Sequence, residues 1–192
     1  MSKWWEDGMY LKKGTLNEYK KHYYKIKNIE RYNRIIDKLE LPDGINVLDL
    51  GCNIGGNFRG LLEARPQLNG VGYDINDTAL DYARKDLDSS AFSFHKSNLS
   101  EENPLGLFPD NCFDVGLATG LFMHLKTTDH KTALITEFFR VCKHVIILDL
   151  KPDWGKKEKP HDYFLASTDF LKINEDCLIE THTNNDLRVI YV

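Results

Sequence analysis

The residues from Ile45 to Asn57, I-N-V-L-D-L-G-C-N-I-G-G-N, constrain the fold of this chain more than any others. The apolar run Val47-Leu48-Asp49-Leu50 reads as a buried parallel strand with an acid near its end. Gly51, Gly55 and Gly56 break it into a turn, after which Phe58, Leu61 and Leu62 recur at helical spacing. Strand, glycine turn and helix in succession build a nucleotide pocket at the carboxyl end of the first strand of α/β proteins. A dinucleotide fingerprint, G-x-G-x-x-G, needs its second glycine so that the backbone can approach a pyrophosphate. Counting from Gly51 gives Gly51, Asn53 and Gly56, so the second position carries a side chain. Asp49 is expected to point into the same crevice. A carboxylate there repels a diphosphate and attracts a ligand bearing an ammonium and a sulfonium.

The pattern D-x-G-x-N-x-G thus suits a cationic, phosphate-free nucleoside better than NAD. It resembles motif I of the class I S-adenosylmethionine (SAM) dependent methyltransferases, a family that usually has glycine where this chain has Asn53. The resemblance implies SAM as methyl donor, S-adenosylhomocysteine (SAH) as product and no metal. It sets Asp49, Gly51, Cys52, Asn53 and Gly55 around the cofactor. Asp49 also has a structural reading, as an acid capping nearby backbone N–H groups.

A second acid, Asp74, closes the short run Gly70-Val71-Gly72-Tyr73 at a distance in sequence where a carboxylate can accept both ribose hydroxyls. Gly72-Tyr73-Asp74-Ile75-Asn76 resembles the family's second motif, which implies Ile75 against the adenine face. The alternative is Asp74 as N-cap of the next helix, a role Asn76 or Asp77 would fill equally well. His95-Lys96-Ser97-Asn98-Leu99 falls where the family carries an acid for the adenine amino group. Asn98 matches it, with the backbone N–H of Leu99 as donor to the ring, or Asn98 is a simple turn former. Phe113 to Leu125 resembles motif IV of small-molecule methyltransferases, which implies Ala118, Thr119 and Gly120 beside the methyl group. It differs from the Asn-Pro-Pro-Tyr, Asp-Pro-Pro-Tyr and Pro-Cys signatures of nucleobase enzymes. His124 is the candidate base at this edge, or else a packed histidine.

The alternation continues along the chain. Helices are expected over 56–64, 77–87 (beats at Ala79, Leu80, Ala83, Leu87) and 128–142 (Ala133, Leu134, Phe138, Val141). Strands are expected over 70–74, 91–95, 113–118 and 145–150. Cys177–His182 and Leu187–Val192 flank Asn184-Asn185-Asp186 and predict a terminal hairpin. The expected fold is α/β, a Rossmann-like doubly wound sheet of about seven strands, mostly parallel with a C-terminal antiparallel hairpin. Its single methyltransferase domain, 1–192, comprises an N-terminal helical cap or lid (1–40) and a SAM-binding core (45–192). Thr15-x-x-Glu18 reads as a capping box before an amphipathic helix or two with beats from Tyr19 to Leu39. Trp4, Trp5 and Tyr10 read as core cover or as a substrate lid.

Charge is unevenly placed. Residues 11–38 hold nine Lys/Arg against three Asp/Glu, while the whole chain is at −4. Such a basic segment would greet an acidic acceptor, or is a solvated helix face; the acidic remainder disfavours nucleic acid. With no apolar run long enough to span a membrane, no secretory pattern at the start and four scattered cysteines, a cytoplasmic protein with reduced thiols is expected, monomer or homodimer. Cys52 lacks an activating neighbour in the sequence and is not read as a nucleophile. After Lys151, charges and aromatics through His161-Asp162-Tyr163-Phe164 predict a substrate-facing loop or a plain surface connection.

The function implied is transfer of the SAM methyl to an O or N atom of a small-molecule acceptor by in-line displacement. Leu50–Asn57 and Gly120–Leu125 look most like methylases of bacterial surface-sugar (pseudaminic acid type) pathways, which would imply a sugar or sugar-nucleotide acceptor. A non-catalytic SAM-fold scaffold or activator subunit is the alternative. An NAD-dependent oxidoreductase fails on Asn53 and Asp49.

Overall fold

A computed structural model describes residues 26–125, 128–150, 176, 178–182 and 187–191. Two compact units divide the chain, one up to Asn98 and one from Leu99 onward. The expected capping box, the amino-terminal aromatics, the loop after Lys151 and Cys177 lie outside the described residues.

Among the described residues of the first unit α1 (Ile26–Lys38) comes first, and it buries Tyr32, Ile35 and Ile36, the i, i+3, i+4 stripe of an amphipathic helix. Three strands follow, each leading through a turn or helix to the next: β1 (Asn46–Leu50), α2 (Gly56–Leu62), β2 (Asn69–Asp74), α3 (Asp77–Asp86) and β3 (Phe92–Lys96). β2 lies between β1 and β3 and runs parallel to both, with Asp49 opposite Gly72, Leu50 opposite Tyr73, and Asp74 opposite Lys96. Val47 through Leu50 are all buried, as a parallel strand covered on both faces requires. α2 ends two residues before its expected limit. The N–H of Ala64 and that of Arg65 both turn back to the Leu61 carbonyl, tightening the last turn ahead of Pro66. Arg65, 5% exposed, is then held by Asn33 Oδ1 at 2.7 Å and by the Asp37 carboxylate, which ties this corner to α1.

The second unit contains β4 (Phe113–Thr119), α4 (Thr128–Val141) and β5 (Cys142–Leu150), with β4 parallel to β5. β5 starts three residues earlier than apolarity alone suggests, because Cys142 already pairs opposite Phe113. α4 buries Lys131, Leu134, Ile135, Phe138 and Val141; Ala133, read from the sequence as a core position, is exposed. A 3-10 turn at Pro104–Leu107 and another at Phe122–His124 were not evident from periodicity. β6 (Leu178–His182) and β7 (Leu187–Tyr191) pair antiparallel, and β7 pairs antiparallel with β5.

Gly72 sits where β2 passes beneath the glycine turn. A Cβ there would lie 2.7 Å from Cys52 Sγ and 2.9 Å from Phe94 Cδ1. Gly72→Ala is expected to destabilise the protein by about 1–3 kcal/mol, read as a lower urea midpoint. Cys52→Ala should recover part of that loss, and strict additivity of the two changes would show that the sulfur is not the obstacle.

Candidate cofactor site

The turn after β1 is built by backbone hydrogen bonds that the sequence does not announce. The N–H groups of Gly51 and Cys52 both donate to the Tyr73 carbonyl, at 2.8 and 3.0 Å. The N–H of Asn53 donates to Asp74 Oδ2 at 2.9 Å, that of Ile54 to Asn53 Oδ1 at 2.9 Å, and that of Gly55 to the Cys52 carbonyl at 2.9 Å. Every backbone N–H from 51 to 55 is thereby bonded within the protein. A phosphate-binding loop works the other way, aiming such groups at its ligand.

Asn53 has φ +52° and Gly55 φ +76°. Asparagine tolerates the left-handed region better than other side chains, so Asn53 takes a conformation suited to the glycine usual at its position. Gly55 has no such freedom, since a Cβ would also meet Leu87 Cδ1 at 2.8 Å.

Two carboxylates stand at the strand ends. Asp74 Oδ1 accepts the N–H of Asn76 at 2.9 Å, while Oδ2 takes that of Asn53, and the residue keeps partial solvent access. It is not the N-cap of α3. That role falls to Asn76, whose Oδ1 accepts the Ala79 N–H at 3.0 Å. Burial raises the Asp74 carboxyl, with the N–H donors of Asn76, Asn53 and Ile75 opposing. Asp49 is 0% exposed, and both its oxygens accept from Asn57 Nδ2, at 3.2 and 3.1 Å. The expected open carboxylate is therefore an enclosed one whose donor is a side-chain amide. Burial pushes its pKa up to about 8, the Asn57 bond opposes this and the neighbouring Asp74 adds to it. Cys52 is buried, and desolvation followed by the two acids raises its thiol well above the usual range, so it is no nucleophile. Ile75 is half-buried just beyond Asp74. The Ser97 N–H donates to the Asp74 carbonyl at 3.0 Å, which fixes the end of β3 and leads to half-buried Asn98.

In the second unit Leu99 is buried, its carbonyl 2.6 Å from His130 Nε2. Ala118 is buried, Thr119 half-buried, and Gly120 follows at φ +61° with its N–H on the Leu148 carbonyl at 2.7 Å. His124 is half-buried and ends the 3-10 turn. Desolvation, then the positive charge of Lys131, hold its imidazole below the ordinary range, which leaves it neutral at pH 7. Lys131 itself is 1% exposed.

A family model described as a methyltransferase domain matches residues 47–145, just over half of the chain. The chain belongs to the SAM-dependent methyltransferase family. Among curated relatives, a sterol 24-C-methyltransferase of Gibberella zeae is 31% identical over 63% of this chain and 30% of its own length. A phosphoethanolamine N-methyltransferase of Triticum aestivum is 29% identical over 72% of this chain and 26% of its own. The chain thus spans less than a third of the length of these relatives. A magnesium protoporphyrin IX methyltransferase from Synechocystis PCC 6803, solved with bound SAH, superposes with a TM-score of 0.63 at 16% identity. That match covers 88% of this chain and 82% of the other, and shows the α/β, Rossmann-like fold.

The first unit of this methyltransferase brings together Asp49, Gly51, Cys52, Asn53, Gly55 and Asp74, the predicted residues of the first two motifs. Asn57 and Lys131 were missed. Lys131 occupies an apolar beat of α4, three residues before Leu134, and that was the available signal. For Asn57 there was none beyond its place in the first turn of α2.

The titration of Asp49 has a definite sign. The folded protein holds this proton up to about pH 8, whereas an unfolded chain releases it near ~4. The stabilisation from the neutral acid is full below that lower value and is lost as pH rises through the higher one. Asp49→Asn, which cannot ionise, is expected to keep its urea midpoint from about pH 5 to 9, while the unsubstituted protein declines. Each tenfold difference in acidity is worth about 1.4 kcal/mol. Parallel curves would mean that Asp49 does not titrate in this window.

Proposed function

We propose that the protein transfers the methyl of SAM to an O or N atom of a small-molecule acceptor. The observation that carries this reading is the internally satisfied turn beside two acids. It offers a phosphate no free N–H from 51 to 55, and beside it stand the partly exposed Asp74 carboxyl and the buried acid Asp49, which ionises only toward about pH 8. The donor set suits SAM. Asp74 accepts the Asn53 N–H on Oδ2 and the Asn76 N–H on Oδ1, with the Ile75 N–H as a further donor, and its partial solvent access leaves acceptor capacity for the hydroxyls of a ribose. Half-buried Ile75 supplies an apolar face for adenine, and Asn98 an amide for its edge. Asp49, Gly51, Cys52, Asn53 and Gly55 shape the aminoacyl end. Gly51 and Cys52 do so through the form of the turn, since their N–H groups are already engaged.

In the second unit the same reading gives the backbone of Leu99 to the adenine ring, Ala118 and Thr119 to the methyl end, and the acceptor's proton to His124. When bound, SAM supplies an electrophilic methyl on a good thioether leaving group. The protein's own work is to hold the acceptor atom in line and to remove its proton. A neutral imidazole is the form that accepts a proton, and the surroundings of His124 favour that form. The names of the curated relatives support a small-molecule acceptor, although one is methylated on carbon and the other on nitrogen. A sugar or sugar-nucleotide acceptor of acidic character belongs to the proposal through the basic segment 11–38 and the surface-sugar resemblance. So does a single seven-stranded sheet edged by the 178–191 hairpin, and a cytoplasmic setting for free Cys52, Cys112 and Cys142.

Titration of the purified protein with SAM, SAH and NADH separates this reading from an oxidoreductase, and turnover in an acceptor screen with labelled SAM separates it from a scaffold. Asp74→Ala should weaken SAM by about 100-fold, since hydrogen bonds to a charged group contribute about 1.5–3 kcal/mol each. Unchanged affinity would sink the ribose assignment. With an acceptor in hand, His124→Ala should lower kcat by about 100-fold or more at constant SAM affinity. The acid limb of kcat/KM should lie below about 6.5, where a depressed imidazole pKa puts it. A variant with full turnover would reduce His124 to packing.

A further inference from the structure

Asn57 has no role in SAM binding as proposed, yet it makes the contact that opposes the effect of burial on the central acid. Its Nδ2 donates to both oxygens of Asp49 from the first turn of α2. The titratable groups facing Asp49 within its unit are Asp74, at the end of β2, and the Cys52 thiol of the turn; neither brings positive charge. Among the described residues, the interaction that favours ionised Asp49 is this amide. A carboxylate sealed from solvent interacts strongly over several ångströms, so ionised Asp49 acts on a cationic ligand through its field without touching it.

We propose that Asn57 is a positioning residue that keeps Asp49 able to ionise, and that the pocket thereby distinguishes nucleosides carrying a cationic aminoacyl chain from neutral nucleosides. This rests on the SAM-binding reading. Uptake of SAM by protein whose Asp49 is still protonated would release that proton to the buffer.

The test compares SAM with 5′-methylthioadenosine, which keeps the adenosine and thioether but carries no charge, by titration calorimetry from about pH 6 to 9.5. Asn57→Ala should weaken SAM by about tenfold near pH 7, where the unaided acid is more protonated, and leave methylthioadenosine within about twofold. The SAM deficit should shrink as pH rises. Asn57→Ser, which retains a donor, should restore part of the affinity. Asp49→Asn should show the same selective loss without recovery at high pH, and adding Asn57→Ala to it should cost nothing further. Equal weakening of both ligands, or a SAM deficit independent of pH, overturns the proposal and makes Asn57 a packing residue. If the unsubstituted protein binds neither ligand, the SAM-binding reading fails first and the proposal with it.

Discussion

The Tyr73 carbonyl and the Asp74 carboxylate together receive the N–H groups of Gly51, Cys52 and Asn53, and the first unit depends on that junction. It fastens the turn after β1 to the end of β2, so the two strand ends cannot move independently. Close contact of Cys52 with β2 follows, and it leaves room only for hydrogen at Gly72. The left-handed residues at 53 and 55 then carry the chain into α2. Asp74 is therefore both a structural acceptor and a half-exposed carboxylate at the same edge. Its oxygens are held from inside by backbone N–H groups, Oδ2 by that of Asn53 and Oδ1 by that of Asn76.

Two acids in one small volume have an electrostatic cost. Asp49 is the deeper, and burial first, with Asp74 adding to it, makes it hold its proton to about pH 8; burial also raises the Asp74 carboxyl, against backbone N–H donors. A cation entering the site would reverse the imbalance, drawing Asp49 toward its charged form. The opposite arrangement occurs in the second unit. There burial and the Lys131 charge together disfavour a protonated His124. One unit thus favours neutral acid until a cation arrives, and the other favours neutral base.

Much of this was legible in the sequence because it is local. Ala79, Leu80 and Ala83 on α3 and Leu87 at its C-cap are buried at the expected spacing, and β1 and β2 lie within a residue or so of their predicted limits. Asn76 was a foreseeable cap, being followed three residues later by the N–H it accepts. What escaped was non-local or masked by residue type. Ala133 has a beat's apolarity but faces solvent, and Lys131 has a surface residue's charge but is buried, because a long stem can line a core. The Asn57–Asp49 contact joins a helix turn to a strand interior, and no periodicity encodes it.

Asn53 shows how a departure from a motif can preserve shape and sharpen chemistry. Its φ of +52° keeps the path that glycine would give. Its side chain then adds something glycine cannot, an oxygen that takes the Ile54 N–H at 2.9 Å. Glycine at 53 would leave the buried Ile54 N–H without this partner. With asparagine that N–H is bonded, and it joins the other N–H groups from 51 to 55 in being held within the protein. The residue that departs from the dinucleotide fingerprint thus closes the turn on itself through its own side chain.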